Sequence, residues 1–232
     1  MSKCLYDHRS FFRDQLSEML YYPHLRNFSR FKDTQMQVDI EHVLFWMDAI
    51  RNSDDRDRTL ESFWKGQIRS KLWLIENLKP FVQGPVTVDI HGGWNGVLAS
   101  LLFQSRLDIS HIRNVDIDPV CKEIAYTINK IEEMQGRFSV CTQDMCSVSS
   151  TANIVINTIC EHITQQQYRS WLSKISSNSL LVLQSNNYKI SEHIRIANSL
   201  DNFIEQSEVN VRWAGELELP LYNRFMIIAS PT

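Results

Sequence analysis

The sequence predicts an α/β protein in which a helical segment precedes an open, mostly parallel sheet. From Val86 onward, short apolar runs alternate with amphipathic stretches of helical period. Runs that are apolar on both faces are typical of strands in a parallel sheet covered by helices. The first 80 residues hold half of the aromatic side chains and show helical spacing without strand alternation. We therefore expect a helical, aromatic-rich segment at residues 1–80 and a sheet domain at residues 86–232.

The apolar patterns place each element in order. Helical spacing relates Ile40, Val43, Leu44 and Met47, and again Ile68, Leu72, Ile75 and Leu78, until Pro80 and Gly84-Pro85 end the pattern. Strands are predicted at 86–90, 112–115, 138–141, 154–156, 180–183, 209–213 and 225–229. Between them, Asp118-Pro119 begins a helix whose apolar stripe reaches Ile131, and Thr164 with Gln167 forms a capping box. Ser191 precedes a stripe that predicts a further helix from Ile194 to Ile204.

Composition excludes several classes of protein. A net charge of −3 argues against a surface that neutralises the phosphates of nucleic acid. No apolar run approaches the roughly 20 residues that span a bilayer. The five cysteines are scattered without a Cys-x-x-Cys pair, so we expect reduced thiols and no metal in a cytoplasmic protein. At 232 residues the chain is long enough to form an apolar core that is stable without a disulfide or a metal ion.

A glycine-rich turn is the most informative motif. Residues 88–99 read as a strand, a turn containing Gly92, Gly93 and Gly96, and the start of a helix, which lets a ligand approach the backbone closely. Asp116 ends the next strand, twenty positions beyond Gly96, where an acid can accept hydrogen bonds from a ribose diol. After the third strand, Asp144 is suited to hold an adenine amino group, and the adjacent Met145 to cover the adenine face.

These residues resemble those of class I S-adenosylmethionine (SAM)-dependent methyltransferases. The family's first motif, an acid followed by three glycines at alternate positions, matches at Asp89 and Gly93, with Trp94 where many members carry tryptophan. Over residues 86–229 the resemblance implies a Rossmann-like, mostly parallel sheet of seven strands with one antiparallel strand. It implies SAM as cosubstrate, with Asp116 on the ribose, Asp144 on the adenine, and the glycines Gly92 and Gly93 at the methionine end.

The sequence departs from this motif at His91 and Asn95, where the family usually has glycine. Asn95 is compatible with the turn because asparagine tolerates left-handed backbone. Two interpretations of His91 remain open. The ring packs on the strand end and bonds to the backbone, or it hydrogen-bonds to the amino acid part of the cofactor.

Polar residues at the ends of the fourth and fifth strands indicate where chemistry would occur, because ligands of open α/β sheets bind at the carboxyl ends of the strands. Glu161 or His162 is suited to act as a general base or to orient an ammonium group, and Asn157 to hold the cofactor's amino group. The alternative is a simple loop into the next helix, with Glu161 complementing the helix dipole.

The fifth strand ends in Gln184-Ser185-Asn186-Asn187-Tyr188, which reads as a polar pocket floor. Ser185, Asn186 and Asn187 would line the substrate pocket, and Tyr188 would face the sulfonium through a cation–π contact. The alternative is a polar turn ahead of the next helix. Aromatic residues of the N-terminal segment, among them Tyr6 and Tyr21, would close over the site as a lid that excludes water.

Three functions stay open. Methyl transfer from SAM to a small-molecule acceptor is the first, since the chain shows no basic patch and no Asn-Pro-Pro-Tyr-type sequence. The second is suggested by resemblance to SAM-cyclising enzymes: the amino group of SAM closes a four-membered ring, giving azetidine-2-carboxylate and methylthioadenosine. The third is a non-catalytic SAM-binding module. Small molecules are the expected partners, without nucleic acid or membrane, and a homodimer stays open.

Overall fold

Seven strands form a single sheet in the part of the chain described by the computed structural model, residues 39–232. The strands are β1 (Val86–His91), β2 (Ile109–Asp116), β3 (Phe138–Thr142), β4 (Ile154–Asn157), β5 (Leu180–Asn186), β6 (Asn210–Glu218) and β7 (Asn223–Ser230). Their order is β3-β2-β1-β4-β5-β7-β6, and β7 runs antiparallel to both of its neighbours while the other pairs are parallel. The predicted mostly parallel sheet with one antiparallel strand is confirmed.

Helices cover both faces of this sheet. Within residues 39–232 they are α1 (Ile40–Asn52), α2 (Arg56–Glu61), α3 (Lys65–Leu78), α4 (Val97–Phe103), α5 (Val120–Ile128), α6 (Lys130–Met134), α7 (Gln165–Leu172) and α8 (Leu200–Ser207). Short 3-10 turns lie at Lys79–Phe81, Met145–Ser147 and Cys160–His162. The predicted capping box at the start of α7 is present, because Thr164 and Gln167 bond to each other's backbone amides.

The alternation of side chains along β1 divides the apolar core in two. Val88 and Ile90 face a core that they share with buried residues of α3, such as Leu74 and Leu78. The opposite face packs on α7 and α8, with Trp171 buried at its centre. The helices that precede β1 therefore pack into the same core as the sheet. Asp89 and His91 point toward the second face, where polar groups are costly unless they are bonded.

The connectivity fixes where a ligand site belongs. From β1 the chain moves to β2 and β3 on one side, then returns to β4 and β5 on the other. The carboxyl ends of β1, β2 and β4 therefore surround the point at which the strand order reverses. Crevices at such a point are the usual ligand sites of open α/β sheets.

The predicted helix from Ile194 to Ile204 is wrong in its first half. Residues 190–199 form turns and bends, and α8 begins only at Leu200, capped by the Ser199 hydroxyl. Tertiary hydrogen bonds override the helical pattern, because the amides of Ile194 and Arg195 donate to the carbonyl of Glu161. The helix expected to reach Ile131 is likewise interrupted, at Asn129.

Residues 1–38 are outside the described part of the chain, so Tyr6 and Tyr21 lie outside it too. The interpretation of residues 1–80 as a lid therefore stays a prediction. None of the helices within residues 39–232 is long and apolar enough to cross a membrane.

Candidate functional site at the carboxyl edge of the sheet

The glycine turn after β1 is fastened to β2 by its backbone. The amides of Gly92 and Gly93 both donate to the carbonyl of Val115, at 2.9 and 3.1 Å. The side-chain amide of Asn114 donates to the carbonyl of Trp94 at 3.1 Å. Because every partner belongs to the neighbouring strand, the turn is held in place whether or not a ligand is bound.

Two of the glycines leave no room for a side chain. A Cβ at Gly93 would lie 1.9 Å from Oδ1 of Asn114, and one at Gly92 would lie 2.4 Å from the Ile159 side chain. Gly92 also has φ +68°, a conformation that other residues rarely adopt. Trp94 follows at φ +47°, held there by hydrogen bonds at both its amide and its carbonyl. The glycine turn therefore packs against Asn114 and Ile159 so closely that a side chain at Gly92 or Gly93 would clash with them.

Asp116 links this turn to the end of β2. Its Oδ2 accepts from the amide of Trp94 at 2.7 Å, and its Oδ1 accepts from the amide of Asp118 at 3.0 Å. The carboxylate is partly exposed, and each oxygen has a second lone pair. Asp116 therefore positions the turn and keeps unused lone pairs; its role toward a ribose stays a prediction.

Asp144 and Met145 lie next along this edge, after β3. The Asp144 side chain is exposed and caps a short 3-10 turn, accepting from the amide of Cys146 at 2.8 Å. The Met145 side chain is buried, with its sulfur 3.9 Å from Nδ2 of Asn157 at the end of β4. Asn157 in turn accepts from the amide of Ile159. These contacts join the β3 and β4 ends of the site.

His91 ends β1 beside Asn157, its register partner on β4. The ring is buried, and its Nδ1 accepts from the indole N–H of Trp171 at 2.6 Å. Burial lowers the pKa of His91 to about 4, so the ring is neutral at pH 7 and carries its hydrogen on Nε2. That N–H has no hydrogen-bond partner among the described residues. The ring is therefore packed as one interpretation expected, but its bond is to a side chain and not to the backbone; a hydrogen bond from His91 to a cofactor stays a prediction.

Asp89, the acid of the first motif, is buried within the sheet. Its carboxylate pairs with the guanidinium of Arg113 on β2 and accepts from the hydroxyl of Ser150 at 2.5 Å. These bonds satisfy the carboxylate and couple β1 to β2 below the turn. The role of Asp89 in cofactor binding stays a prediction.

A buried charge network occupies the β4–β5–β7 side. The Glu161 carboxylate accepts through Oε1 from Arg224 at 2.7 Å and from Asn186 at 2.5 Å. Arg224 also donates to the carbonyl of Thr158 at 3.1 Å. Arg224 lies on the antiparallel strand β7, which no motif had singled out. Its signal in the sequence was weak, a lone basic residue at the start of an apolar strand.

The polar run after β5 builds the adjoining loops. Asn186 accepts from the amide of Tyr188 at 2.8 Å, and Asn187 accepts from the amide of Asn223 at 2.8 Å. Ser185 is buried, and its hydroxyl has no partner among the described residues. The Tyr188 ring packs on Tyr222, with centroids 5.5 Å apart. Of the residues predicted to line the pocket, Asn186 and Asn187 thus use their side-chain oxygens to hold neighbouring backbone in place.

His162 meets a second histidine that the sequence analysis missed. The rings of His162 and His193 are 4.6 Å apart and nearly perpendicular. The Tyr188 ring lies 6.1 Å from His193. The two histidines are 31 positions apart, so no spacing motif relates them.

Comparison with known proteins gives no match by family model or by curated sequence. Solved structures do match. The N-methyltransferase NodS from Bradyrhizobium japonicum WM9, in complex with S-adenosyl-L-homocysteine, is 11% identical with a TM-score of 0.56, covering 81% of this chain and 99% of its own. A geranyl diphosphate methyltransferase in complex with SAM is 10% identical with a TM-score of 0.55, covering 80% and 95%. A mutant of MtNAS is 15% identical with a TM-score of 0.54, covering 82% and 70%.

These similarities, together with the strand order, define the fold. The chain has the Rossmann-like fold of class I SAM-dependent methyltransferases. At such low identity the similarity describes the architecture, and the activity has to be argued from the site.

Proposed function

We propose that this chain is a SAM-dependent enzyme that transfers a methyl group to a small-molecule acceptor. The observation that carries the proposal is the meeting of the glycine turn, Asp116 and Asp144 at the ends of three adjacent strands, in a methyltransferase fold. The structural neighbours support it, since one was solved with SAM and another with S-adenosyl-L-homocysteine.

The residues present fit SAM. Asp116 keeps free lone pairs for the two ribose hydroxyls, and the exposed Asp144 carboxylate suits an adenine amino group. Gly92 and Gly93 would bring the backbone of the turn close to the methionine end of SAM, as the resemblance implies. The buried, unpartnered Nε2–H of His91 fits the carboxylate of the methionine part. When bound, SAM supplies a methyl group on a positively charged sulfur.

The β4–β5 side would receive the acceptor. Asn157 is fixed beside His91 and Met145, which places its amide next to the proposed cofactor site. Glu161 is held by Arg224 and Asn186, so this wall contains a fixed, buried ion pair. We assign His162 and Tyr188 to the rim, where they would orient the acceptor. Alignment of nucleophile and methyl carbon at near-attack distance is the main demand of such a displacement.

SAM binding to an Asp116→Asn variant is the first test, measured by calorimetry against Asp108→Asn. Asp108 is exposed and directly precedes β2, at the opposite end of the same strand. Loss of a charged acceptor for the ribose should weaken binding at least about tenfold, whereas the control should bind as the parent does. Equal affinity of both variants, with unchanged melting temperatures, would remove the cofactor assignment.

Incubation of the protein with SAM alone, followed by mass spectrometry, tests the reaction itself. We expect SAM to remain intact until a small-molecule acceptor is added and then to yield S-adenosyl-L-homocysteine. Methylthioadenosine together with a cyclic imino acid, in the absence of acceptor, would instead establish cyclisation to azetidine-2-carboxylate. Binding without turnover against a broad set of acceptors would favour a non-catalytic SAM-binding module.

A further inference from the structure

Three potential metal ligands converge beside the end of β4. Ligand atoms of Glu161, His162 and His193 all lie within 4.8 Å of one another, and no other such group of three occurs among residues 39–232. Around a tetrahedral ion, with bonds of about 2.0–2.1 Å, neighbouring donors stand about 3.4 Å apart. Small rotations of the two imidazoles would close this difference, since His162 is exposed and His193 is partly exposed.

His193 is already oriented by a backbone group outside the cluster. Nδ1 of His193 donates to the carbonyl of Tyr188 at 2.7 Å, which leaves the lone pair of Nε2 free. The ring of His162 packs edge-on against that of His193, with the ring centroids 4.6 Å apart. Histidines that ligate metals characteristically donate their other ring N–H to an acceptor such as a backbone carbonyl, which fixes the tautomer and the ring orientation.

The third ligand has one satisfied oxygen and one unsatisfied oxygen. Glu161 is only 2% exposed, and its Oε1 accepts from Arg224 and Asn186. Its Oε2 is buried and has no hydrogen-bond partner among the described residues. A buried carboxylate oxygen without a partner carries a substantial free-energy cost. A bound cation would supply the missing partner without disturbing the pair with Arg224.

The backbone holds the two halves of the cluster together. The amides of Ile194 and Arg195 donate to the carbonyl of Glu161 at 2.9 and 3.0 Å. These bonds anchor the loop that carries His193 onto the turn that carries Glu161 and His162. The backbone segments that carry the three ligands are therefore held together before any ion arrives, and only the imidazole rings have to rotate.

We propose that Glu161, His162 and His193 bind one divalent transition-metal ion. Two imidazoles and a carboxylate are a donor set that suits Zn²⁺, with a fourth position left for water or for a heteroatom of a small molecule. The sequence analysis expected no metal, because it considered cysteine spacing and could not relate residues 162 and 193. This site does not depend on SAM binding.

Zinc titration of chelator-treated protein, without SAM, tests the site by competition with a chromophoric chelator. We expect one Zn²⁺ per chain and a higher melting temperature in its presence. His162→Ala and His193→Ala should each weaken Zn²⁺ binding at least about tenfold, since each removes a ligand. His111→Ala, a partly exposed histidine near the start of β2, should bind as the parent does.

Co²⁺ provides a second measurement, because its visible absorption reports the geometry of the ligands. An intense band, lost in the His193→Ala variant, would support a four-coordinate site. Absence of stoichiometric Zn²⁺ binding, or affinities that are equal in the parent, His162→Ala and His193→Ala proteins, would overturn the proposal. Melting temperatures measured without metal verify that the variants fold. Failure here leaves the SAM-binding test unaffected, and the reverse also holds.

Discussion

The two sides of the candidate site are built in different ways. On the β1–β2–β3 side, Asp116 and the glycine turn are bonded to main-chain groups a few positions from each strand end. On the β4–β5–β7 side, side chains far apart in sequence share a buried charge, since Arg224 and Glu161 are 63 positions apart. The first arrangement joins two consecutive strands, with Trp94 and Asp116 only 22 positions apart. The second exists only after β7 has inserted between β5 and β6.

The largest expected effect on stability comes from the β4–β5–β7 side. Arg224→Met leaves the Glu161 carboxylate buried without its ion-pair partner, which should lower the free energy of unfolding by about 3–5 kcal/mol. Arg169→Met, which breaks the exposed pair with Glu208, should change it little. Urea denaturation at pH 7 measures both. A small effect of Arg224→Met would mean that water reaches Glu161, and a double variant with Glu161→Gln should recover part of the loss.

On the β1–β2–β3 side, we expect a steric clash in the glycine turn to lower the stability of the protein. Gly93→Ala places a methyl group against Oδ1 of Asn114 and forces the turn away from β2, at a cost of about 3 kcal/mol. Gly136→Ala is the control for a glycine with open space around it. Its expected cost, about 1 kcal/mol, comes only from a left-handed backbone at φ +70°, which Gly93 does not have. If the two variants lose equal stability in urea, close packing of the turn is not the reason for Gly93.

Between the two sides, His91 should make stability depend on pH. Its pKa is lowered to about 4 by burial, so the unfolded chain, with an ordinary pKa near 6.5, binds a proton that the folded protein excludes. This contribution is present above pH 6.5 and is lost as the pH falls toward 4, amounting to about 2 kcal/mol between pH 7 and pH 5. Urea denaturation of His91→Gln at both values should show a smaller decrease than the parent. Equal decreases would assign the pH dependence to other groups.

The smallest expected effect on stability comes from a local feature of the β4–β5–β7 side, the capping box at the start of α7. Thr164→Ala removes the capping box of α7 and should cost about 1 kcal/mol. Thr151→Ala, at an exposed position outside the helices and strands, should be close to neutral. The thermal midpoint of each variant provides the comparison. A loss as large as that expected for Arg224→Met would show that the cap orients Trp171 and, through it, His91.

Sequence reasoning succeeded where the determinants are local. The strand at 86–90, the glycine turn and the capping box at Thr164 were all predicted, because a short apolar run, a glycine turn and a helix start each depend on adjacent residues. It was wrong at residues 194–199, where the first half of an apolar stripe of helical spacing lies outside any helix. There the backbone of Ile194 and Arg195 finds its hydrogen-bond partner in Glu161, which no local pattern specifies.

The sequence by itself determined the class of fold and the residues of the β1–β3 edge, because apolar periodicity and turn chemistry act over a few positions. Only the tertiary structure decided the partners of Glu161. Arg224 and Asn186 bond to it from separate strands, and a ligand atom of His193 comes within 4.8 Å from a distant loop; these arrangements depend on strand order. Burial makes these contacts energetically important, because a charge removed from water is costly unless it is paired. The partners that pair with it come from distant segments of the chain.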